Sequence, residues 1–220
     1  MSRQNSSRNG SIKMTDCIII AGADMNVSAY SADDFKDRFI ICADRGVSHA
    51  KALGIAPDLI VGDFDSLGYV PQADCEVLMF RPEKDDTDLM IALKQALQRG
   101  FKDISIYAAL GGRLDHTFAA VQSLGYALEN GAKARLISND NTAELLDAGT
   151  YTFEQKDGFS LSLFSFGEKV SGLCIKGTKY DVENISLNSS FPLGVSNEIT
   201  ADKAVISFES GRLLVITSRL

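Results

Sequence analysis

Between residues 17 and 140 the sequence alternates short apolar runs with helical patterns, and this alternation restricts the fold more than any other feature. The runs are continuous rather than alternately apolar and polar, as in parallel strands that are covered on both faces. We therefore predict an α/β fold with an open, mostly parallel sheet. The predicted strands are CIIIAGA (17–23), RFIICAD (38–44), DLIVGD (58–63), EVLMF (76–80), ISIYAAL (104–110) and ARLIS (134–138).

The segments between these runs have the periodicity of helices that flank such a sheet. In 86–100, Leu89, Leu93 and Leu97 form one apolar stripe, and Gly100 is placed to end the helix. The segment 114–131 has a similar pattern and ends at Gly131. Strands that alternate with helices in this way are typical of βαβ units.

After about residue 141 the pattern changes to short β-rich segments that are separated by turn residues. Alternating apolar positions in 159–163 and 204–208 favour antiparallel strands, and ESGR (209–212) resembles a hairpin turn. We predict a C-terminal antiparallel β-sandwich. The predicted organisation is a disordered tail (1–13), an α/β catalytic domain (14–141) and a sandwich domain (142–220), with Met14 as the expected original start.

Composition and charge exclude several classes of protein. Apolar residues make up 45% of the 220 residues and charged residues 23%, an ordinary globular balance. The net charge of −7 argues against general affinity for nucleic acid or anionic membrane, and no run reaches the length of a membrane helix. The four cysteines are scattered without a CxxC pair, so we expect a cytoplasmic protein with no structural zinc.

The first candidate site is VGDFDSL (61–67), where two carboxylates follow a buried strand. Residues two apart in a strand point to the same side, so Asp63 and Asp65 project together at the edge where open α/β sheets bind ligands. Mg²⁺ bound to phosphate would suit such a pair. The alternative is a polar turn in which Asp65 or Ser66 caps the next segment.

Two further groups follow strands at the same predicted edge. EKDDTDL (83–89) opens a helix, and capping by Thr87 or Asp86 explains only part of its acidity. In ALGGRLDHT (109–117), paired glycines between strand and helix suit backbone contacts to an anion, and Arg113 adds a donor for phosphate. Of the two histidines, His116 lies beside these acids, whereas His49 is expected to be a satisfied helix residue. No P-loop or Rossmann fingerprint is present.

Taken in order and spacing, five motifs resemble those of the thiamine pyrophosphokinase family. They are CADRG (42–46), PDLIVGDFDS (57–66), KDDTDLMIAL (84–93), GGRLDHT (111–117) and GVSNE (194–198). The resemblance covers about residues 16–218. It implies a homodimeric transferase that moves pyrophosphate from ATP to the hydroxyl of thiamine with Mg²⁺, giving thiamine diphosphate and AMP.

The resemblance also implies roles for particular residues. The expected metal ligands are Asp63, Asp65, Asp85 and Asp88; the expected catalytic residues are Asp63, Asp65, Asp88 and Asp115; and the expected nucleotide-binding residues are Asp44, Arg45, Ser66, Lys84, Gly111, Gly112, Arg113 and His116. Tyr180 is expected to stack on thiamine, and Ser196 and Asn197 to meet its pyrimidine across the dimer. Some members use tryptophan for the stack, a residue that this chain lacks.

The same residues leave two other functions open. One is another Mg²⁺-dependent phosphoryl- or nucleotidyl-transfer enzyme, and the other is a non-catalytic binder of thiamine or nucleotide. The retained set of carboxylates speaks against a simple binder. Either Asp88 or Asp115 is the candidate to accept the hydroxyl proton, although most of the catalysis is expected from positioning and electrostatics.

Overall fold

A computed structural model describes residues 16–64, 68, 74–81 and 85–220. The six predicted strands of the first half are all present. They pair in parallel in the spatial order β6-β5-β1-β2-β3-β4, which confirms the predicted open parallel sheet. Their bounds are β1 (Asp16–Ile20), β2 (Phe39–Ala43), β3 (Leu59–Gly62), β4 (Glu76–Met79), β5 (Asp103–Tyr107) and β6 (Lys133–Ile137).

Helices cover both faces of this sheet. The helices α2 (Asp88–Gln98) and α3 (Leu114–Glu129) pack on one face, where Leu93 and Leu124 are buried against the strands. The helix α1 (Gly46–Leu53) lies on the other face with two short 3₁₀ segments, Val27–Ala29 and Ala32–Phe35. Burial on both faces explains why the strands are apolar throughout.

The ends of α2 follow the sequence signals. The Thr87 hydroxyl accepts a hydrogen bond from the Met90 N–H at 3.2 Å, so Thr87 rather than Asp86 is the N-cap. Gly100 has a φ of 87° and lies directly after the last turn. Such a left-handed glycine ends a helix at little steric cost.

The second half is antiparallel, as predicted. Its strands enclose a separate core that includes Leu163, Leu173, Ile206 and Val215. The strands are β7 (Asn141–Glu154), β8 (Phe159–Ser165), β9 (Val170–Lys176), β10 (Val182–Leu187), β11 (Gly194–Asn197) and β12 (Lys203–Arg219).

The predicted hairpin at ESGR is wrong. Strand β12 runs through these residues without reversing, and it pairs with β7 on both sides of a register shift between Phe208 and Arg212. Gly211 has a φ of 87°, and a Cβ there would lie 2.4 Å from the Lys169 carbonyl oxygen. The glycine therefore serves a β-bulge in a long strand rather than a turn.

Strand β7 joins the two halves into one sheet, because it pairs with β6 on one side and β12 on the other. The Arg212 guanidinium adds a 2.7 Å ion pair to Glu129 at the end of α3. The domain boundary near residue 141 stays a prediction, and the predicted tail lies outside the described residues. Among the described helices, none is long and apolar enough to cross a membrane.

Candidate active site

The strand order produces a crevice at the carboxyl edge of the parallel sheet. From β1 the chain adds β2, β3 and β4 on one side and then returns to add β5 and β6 on the other side. The carboxyl end of β1 is therefore a topological switch point, where ligands bind in α/β proteins. A cleft of about 480 Å³ lies there. It is lined by residues 21–24, 43–45, 87–89, 108, 109, 111–113, 116, 119 and 120.

Most of the predicted nucleotide-binding residues line this cleft. They come from two strand ends: Asp44 and Arg45 follow β2, and Gly111, Gly112, Arg113 and His116 follow β5. The predicted metal ligand Asp88, which comes after β4, lies beside them. Asp63, Asp85 and Asp115 are described but do not line it. Asp65, Ser66 and Lys84 lie outside the described residues.

The backbone is unusual where the strands enter this edge. Asp44, Phe64 and Ala108 follow β2, β3 and β5 with φ values of 47°, 60° and 54°. Non-glycine residues rarely adopt this left-handed conformation, which costs about 1 kcal/mol or more. The structure thus holds strained backbone at three strand ends on this edge of the sheet, as is common at ligand sites.

The acidic residues have two different roles: some lie at the carboxyl edge of the sheet, and one stabilises a helix. Asp88 begins α2 and lines the cleft, and Asp63 is partly buried just beyond β3. Asp86 instead forms a 2.6 Å ion pair with Lys94 on the same helix. One of the three acids in the 85–88 segment therefore stabilises α2.

A magnesium ion fits the donor chemistry of this edge. The described residues contain no group of three or more His, Cys, Asp or Glu side chains arranged to hold a metal. Mg²⁺ does not require one, since it is usually bound by one or two carboxylates together with water and substrate phosphate oxygens. Asp88 in the cleft and Asp63 after the neighbouring strand are oxygen donors of that kind.

The glycine loop before α3 leaves space for a ligand. Gly111 and Gly112 have φ values of 95° and 67°, and a Cβ added to either would meet no atom within 4 Å. The Gly111 N–H, however, donates to the Thr117 hydroxyl at 3.2 Å. The Gly111 N–H, predicted to face an anion, thus fixes the glycine loop to α3. The sequence prediction missed this role of Thr117.

Arg113 and Asp115 are paired at the start of α3. Arg113 Nη2 lies 2.5 Å from Asp115 Oδ2, and Nε donates to Oδ1 at 3.2 Å. This bond from Arg113, helped by the His116 N–H, holds the pKa of Asp115 below its ordinary value. A carboxylate held in this way is a weak proton acceptor.

The sequence prediction also missed the loop after β1. Residues Ala21–Asp24 line the cleft, and a Cβ on Gly22 would lie 3.3 Å from the Arg45 Cβ. His49 Nε2 lies 2.9 Å from the Ala23 carbonyl oxygen, so this histidine is satisfied and anchors the loop to α1. The run of small residues AGA at a strand end is compatible with this role but does not by itself indicate it.

The residues that the resemblance assigns to thiamine form a second group in the antiparallel half. Tyr180 lies in the turn between β9 and β10, its side chain 59% exposed, and the exposed Ser196 lies in β11. The buried Asn197 side chain connects them, since it accepts a hydrogen bond from the Tyr180 N–H at 3.0 Å. None of the three is among the residues that line the cleft of the same chain.

Comparison with known proteins decides the family. Residues 35–136 match the family model described as thiamin pyrophosphokinase, catalytic domain, and residues 150–213 match that of the vitamin B1 binding domain. Thiamine pyrophosphokinase of Bacillus subtilis is 31% identical over 184 residues, which cover 81% of this chain and 86% of that protein. The chain belongs to the thiamine pyrophosphokinase family.

Solved structures of thiamine pyrophosphokinases share the whole fold. The crystal structure of the Bacillus subtilis enzyme has a TM-score of 0.83 at 28% identity and covers 93% of this chain and 99% of its own. That of Geobacillus thermodenitrificans has a TM-score of 0.80 at 28% identity, covering 93% and 98%. The cleft belongs to the part that matches the catalytic model, and Tyr180, Ser196 and Asn197 to the part that matches the vitamin-binding model. The chain is thus an enzyme of the thiamine pyrophosphokinase type.

Proposed function

We propose that this enzyme transfers the terminal pyrophosphate of ATP to the hydroxyl of thiamine, releasing AMP and thiamine diphosphate. The observation that carries the proposal is the cleft at the switch point, where Asp44, Asp88, Gly112 and Arg113 meet from separate elements of the catalytic part. Its volume of about 480 Å³ suits a small-molecule site.

In this proposal ATP lies in the cleft with its phosphates toward the glycine loop. The open space above Gly111 and Gly112 admits phosphate oxygens, and the start of α3 favours negative charge. Arg113 supplies a charged donor fork once it exchanges its bond to Asp115 for a phosphate. These groups orient the β-phosphorus for in-line attack.

We further propose that Mg²⁺ is held by Asp63 and Asp88, with Asp65 and Asp85 as the remaining predicted ligands. When bound, the ion would neutralise charge on the triphosphate. Asp88 and Asp115 stay the two candidates to accept the thiamine proton: Asp88 lines the cleft but would also hold Mg²⁺, whereas Asp115 becomes free once Arg113 binds a phosphate. A loose transition state needs little help from a base.

The test is incubation of the protein with ATP, Mg²⁺ and thiamine, followed by chromatography of both products. We expect thiamine diphosphate and AMP in equal amounts. AMP or phosphate without thiamine diphosphate would point to another Mg²⁺-dependent phosphoryl- or nucleotidyl-transfer enzyme. Binding of thiamine and ATP with no product would point to a binding protein, and parallel reactions with EDTA measure the dependence on metal.

A homodimer is the second part of the proposal. The vitamin-binding group of one chain would complete the cleft of its partner. The apolar side chains of Phe191, Leu193 and Val195, beside Ser196, support an interface there because they are 62%, 56% and 47% exposed.

The four cysteines are free thiols, which agrees with the proposed cytoplasmic location.

Subunit exchange tests this arrangement. Assayed with thiamine well below its KM, an Asp88→Asn chain and a chain with both Tyr180→Ala and Ser196→Ala should each keep only a small fraction of normal activity alone. After mixing, about half of the dimers should be heterodimers, each with one site that carries both lesions and one intact site, so about a quarter of normal activity should return. No recovery, with exchange shown by mass spectrometry, would mean that each site is built from a single chain.

A further inference from the structure

The side chain of Asn197 has no hydrogen-bonding capacity left for a ligand. It is only 8% exposed, and its Oδ1 accepts bonds from the N–H groups of Tyr180 at 3.0 Å and Glu198 at 2.9 Å. Its Nδ2 donates to the Thr178 hydroxyl at 3.0 Å and the Tyr180 carbonyl oxygen at 3.1 Å. A side-chain amide accepts two bonds and donates two, so all four are used.

The orientation of this amide follows from its partners. Two backbone N–H groups, which can only donate, face Oδ1, and a backbone carbonyl oxygen, which can only accept, faces Nδ2. Rotating the amide by 180° would place donor against donor and acceptor against acceptor. The fully bonded arrangement is therefore the one that the surroundings permit.

These bonds hold the turn that carries the exposed tyrosine ring. Asn197 bonds both the N–H and the carbonyl of Tyr180 from β11, while the Asp181 carboxylate accepts from the Thr178 N–H at 2.8 Å. Lys179 is tied to Glu198 through a backbone bond of 2.9 Å and an ion pair of 3.0 Å. The Tyr180 side chain projects from a backbone that is fixed on both sides.

We propose that Asn197 is a positioning residue of the vitamin-binding group, which acts on thiamine by fixing the Tyr180 ring and does not touch the ligand. The proposal rests on the proposed function, since it requires Tyr180 to stack on thiamine. It revises the expectation from the family resemblance that Asn197 itself meets the pyrimidine. The residue beside it, Ser196, stays available for direct contact because it is exposed.

A double-mutant cycle separates positioning from contact. Tyr180→Ala should raise the KM for thiamine by about 2- to 30-fold, the range of a lost stack on a cationic ring. Asn197→Ala should raise it by a similar factor, and the KM for ATP should change in neither. In the Tyr180→Ala background, which keeps the backbone partners but lacks the ring, adding Asn197→Ala should change the KM less than twofold.

Losses that multiply in the double variant would overturn the inference, as would a loss in Asn197→Ala without a comparable one in Tyr180→Ala. The variant Asn197→Asp keeps both accepted bonds and lacks both donated ones, so it is measured in the same cycle in case Asn197→Ala does not fold. Asn188→Ala, which removes an exposed amide from another turn of the same half, is the matched control and should leave both KM values unchanged.

Hydrogen exchange provides a second readout. The Tyr180 amide should be protected in the wild type and exchange faster in Asn197→Ala, and unchanged protection would contradict the inference. If the wild type forms no thiamine diphosphate, the proposed function fails, and the positioning role toward thiamine with it. If the wild type is active and the losses multiply, the positioning role alone fails.

Discussion

Replacing Gly46 by alanine tests whether α1 and β1 approach as closely as the structure indicates. A Cβ at Gly46 would lie 1.9 Å from the Ile20 carbonyl oxygen and 3.1 Å from that of Ala21. Both neighbours are backbone atoms, which cannot rotate away. Since carbon and oxygen rarely approach closer than about 3.3 Å, α1 or the end of β1 would have to move by about 1.4 Å.

The expected cost is about 3 kcal/mol, at the upper end of the range for overpacked cores, because no flexible side chain can absorb the clash. For a protein of this size, that lowers the Tm by about 6–12 °C. The displaced elements carry Ala21 on one side and Asp44 and Arg45 on the other, all of which line the cleft. The KM for ATP should therefore rise as well.

Gly54→Ala is the matched control at the other end of α1. Gly54 has a φ of 70°, but a Cβ there would meet no atom within 4 Å. This variant should lose only about 1 kcal/mol for the left-handed conformation, equivalent to about 2–4 °C, and should keep its KM for ATP. Calorimetry and initial rates measure both effects. A Gly46→Ala protein as stable as the control would refute the close approach of α1 to β1.

Three further predictions concern the candidate site. Asp63→Asn and Asp88→Asn should each lower kcat by about 100-fold while leaving the fold intact, and near-normal turnover at saturating Mg²⁺ would remove that residue from the site. Tyr180→Phe should leave the KM for thiamine unchanged if the ring acts by stacking, and a large rise would assign a role to the hydroxyl instead. Arg113→Ala should raise the pKa of Asp115 in an NMR titration, because the bond from Arg113 is the main cause of its lowered pKa, and an unchanged pKa would contradict this assignment. The lowered pKa also means that the Arg113–Asp115 pair favours the folded state at neutral pH and that this contribution is lost as the pH falls.

The sequence was sufficient for the parallel half of the fold because burial on both faces leaves a strong signal. The run at 58–63 is apolar from Leu59 to Val61, and the strand found there, β3, is buried along its length. The failure at ESGR has a different physical origin. A glycine between two β segments reads as a turn, whereas here Gly211 allows one strand to bulge while it keeps the same partner.

The candidate site was predictable where function requires charge at a strand end. Asp88 and Arg113 were predicted from charge after a strand, whereas Asp44 was predicted through the family resemblance, and the sheet brings all three to one cleft. The loop after β1 contributes mainly small residues such as Ala21 and Gly22, which the sequence does not distinguish from ordinary packing. Its role depends on the order of the strands, and that order is a property of the folded sheet.

Left-handed backbone at non-glycine residues explains why the rest of the site could not be read from the sequence. In a regular strand, Val195 and Ser196 would point to opposite sides, yet both are exposed and Asn197 is buried. Ser196 has a φ of 59°, which breaks the alternation and turns Asn197 inward toward Tyr180. A glycine in the sequence signals a left-handed backbone, whereas a serine does not. From the sequence, the inward-facing Asn197 amide therefore cannot be distinguished from an amide that faces a ligand. The strain at Ser196, like that at Asp44 beside the cleft, is maintained by the hydrogen bonds and packing around it, and those contacts exist only in the folded chain.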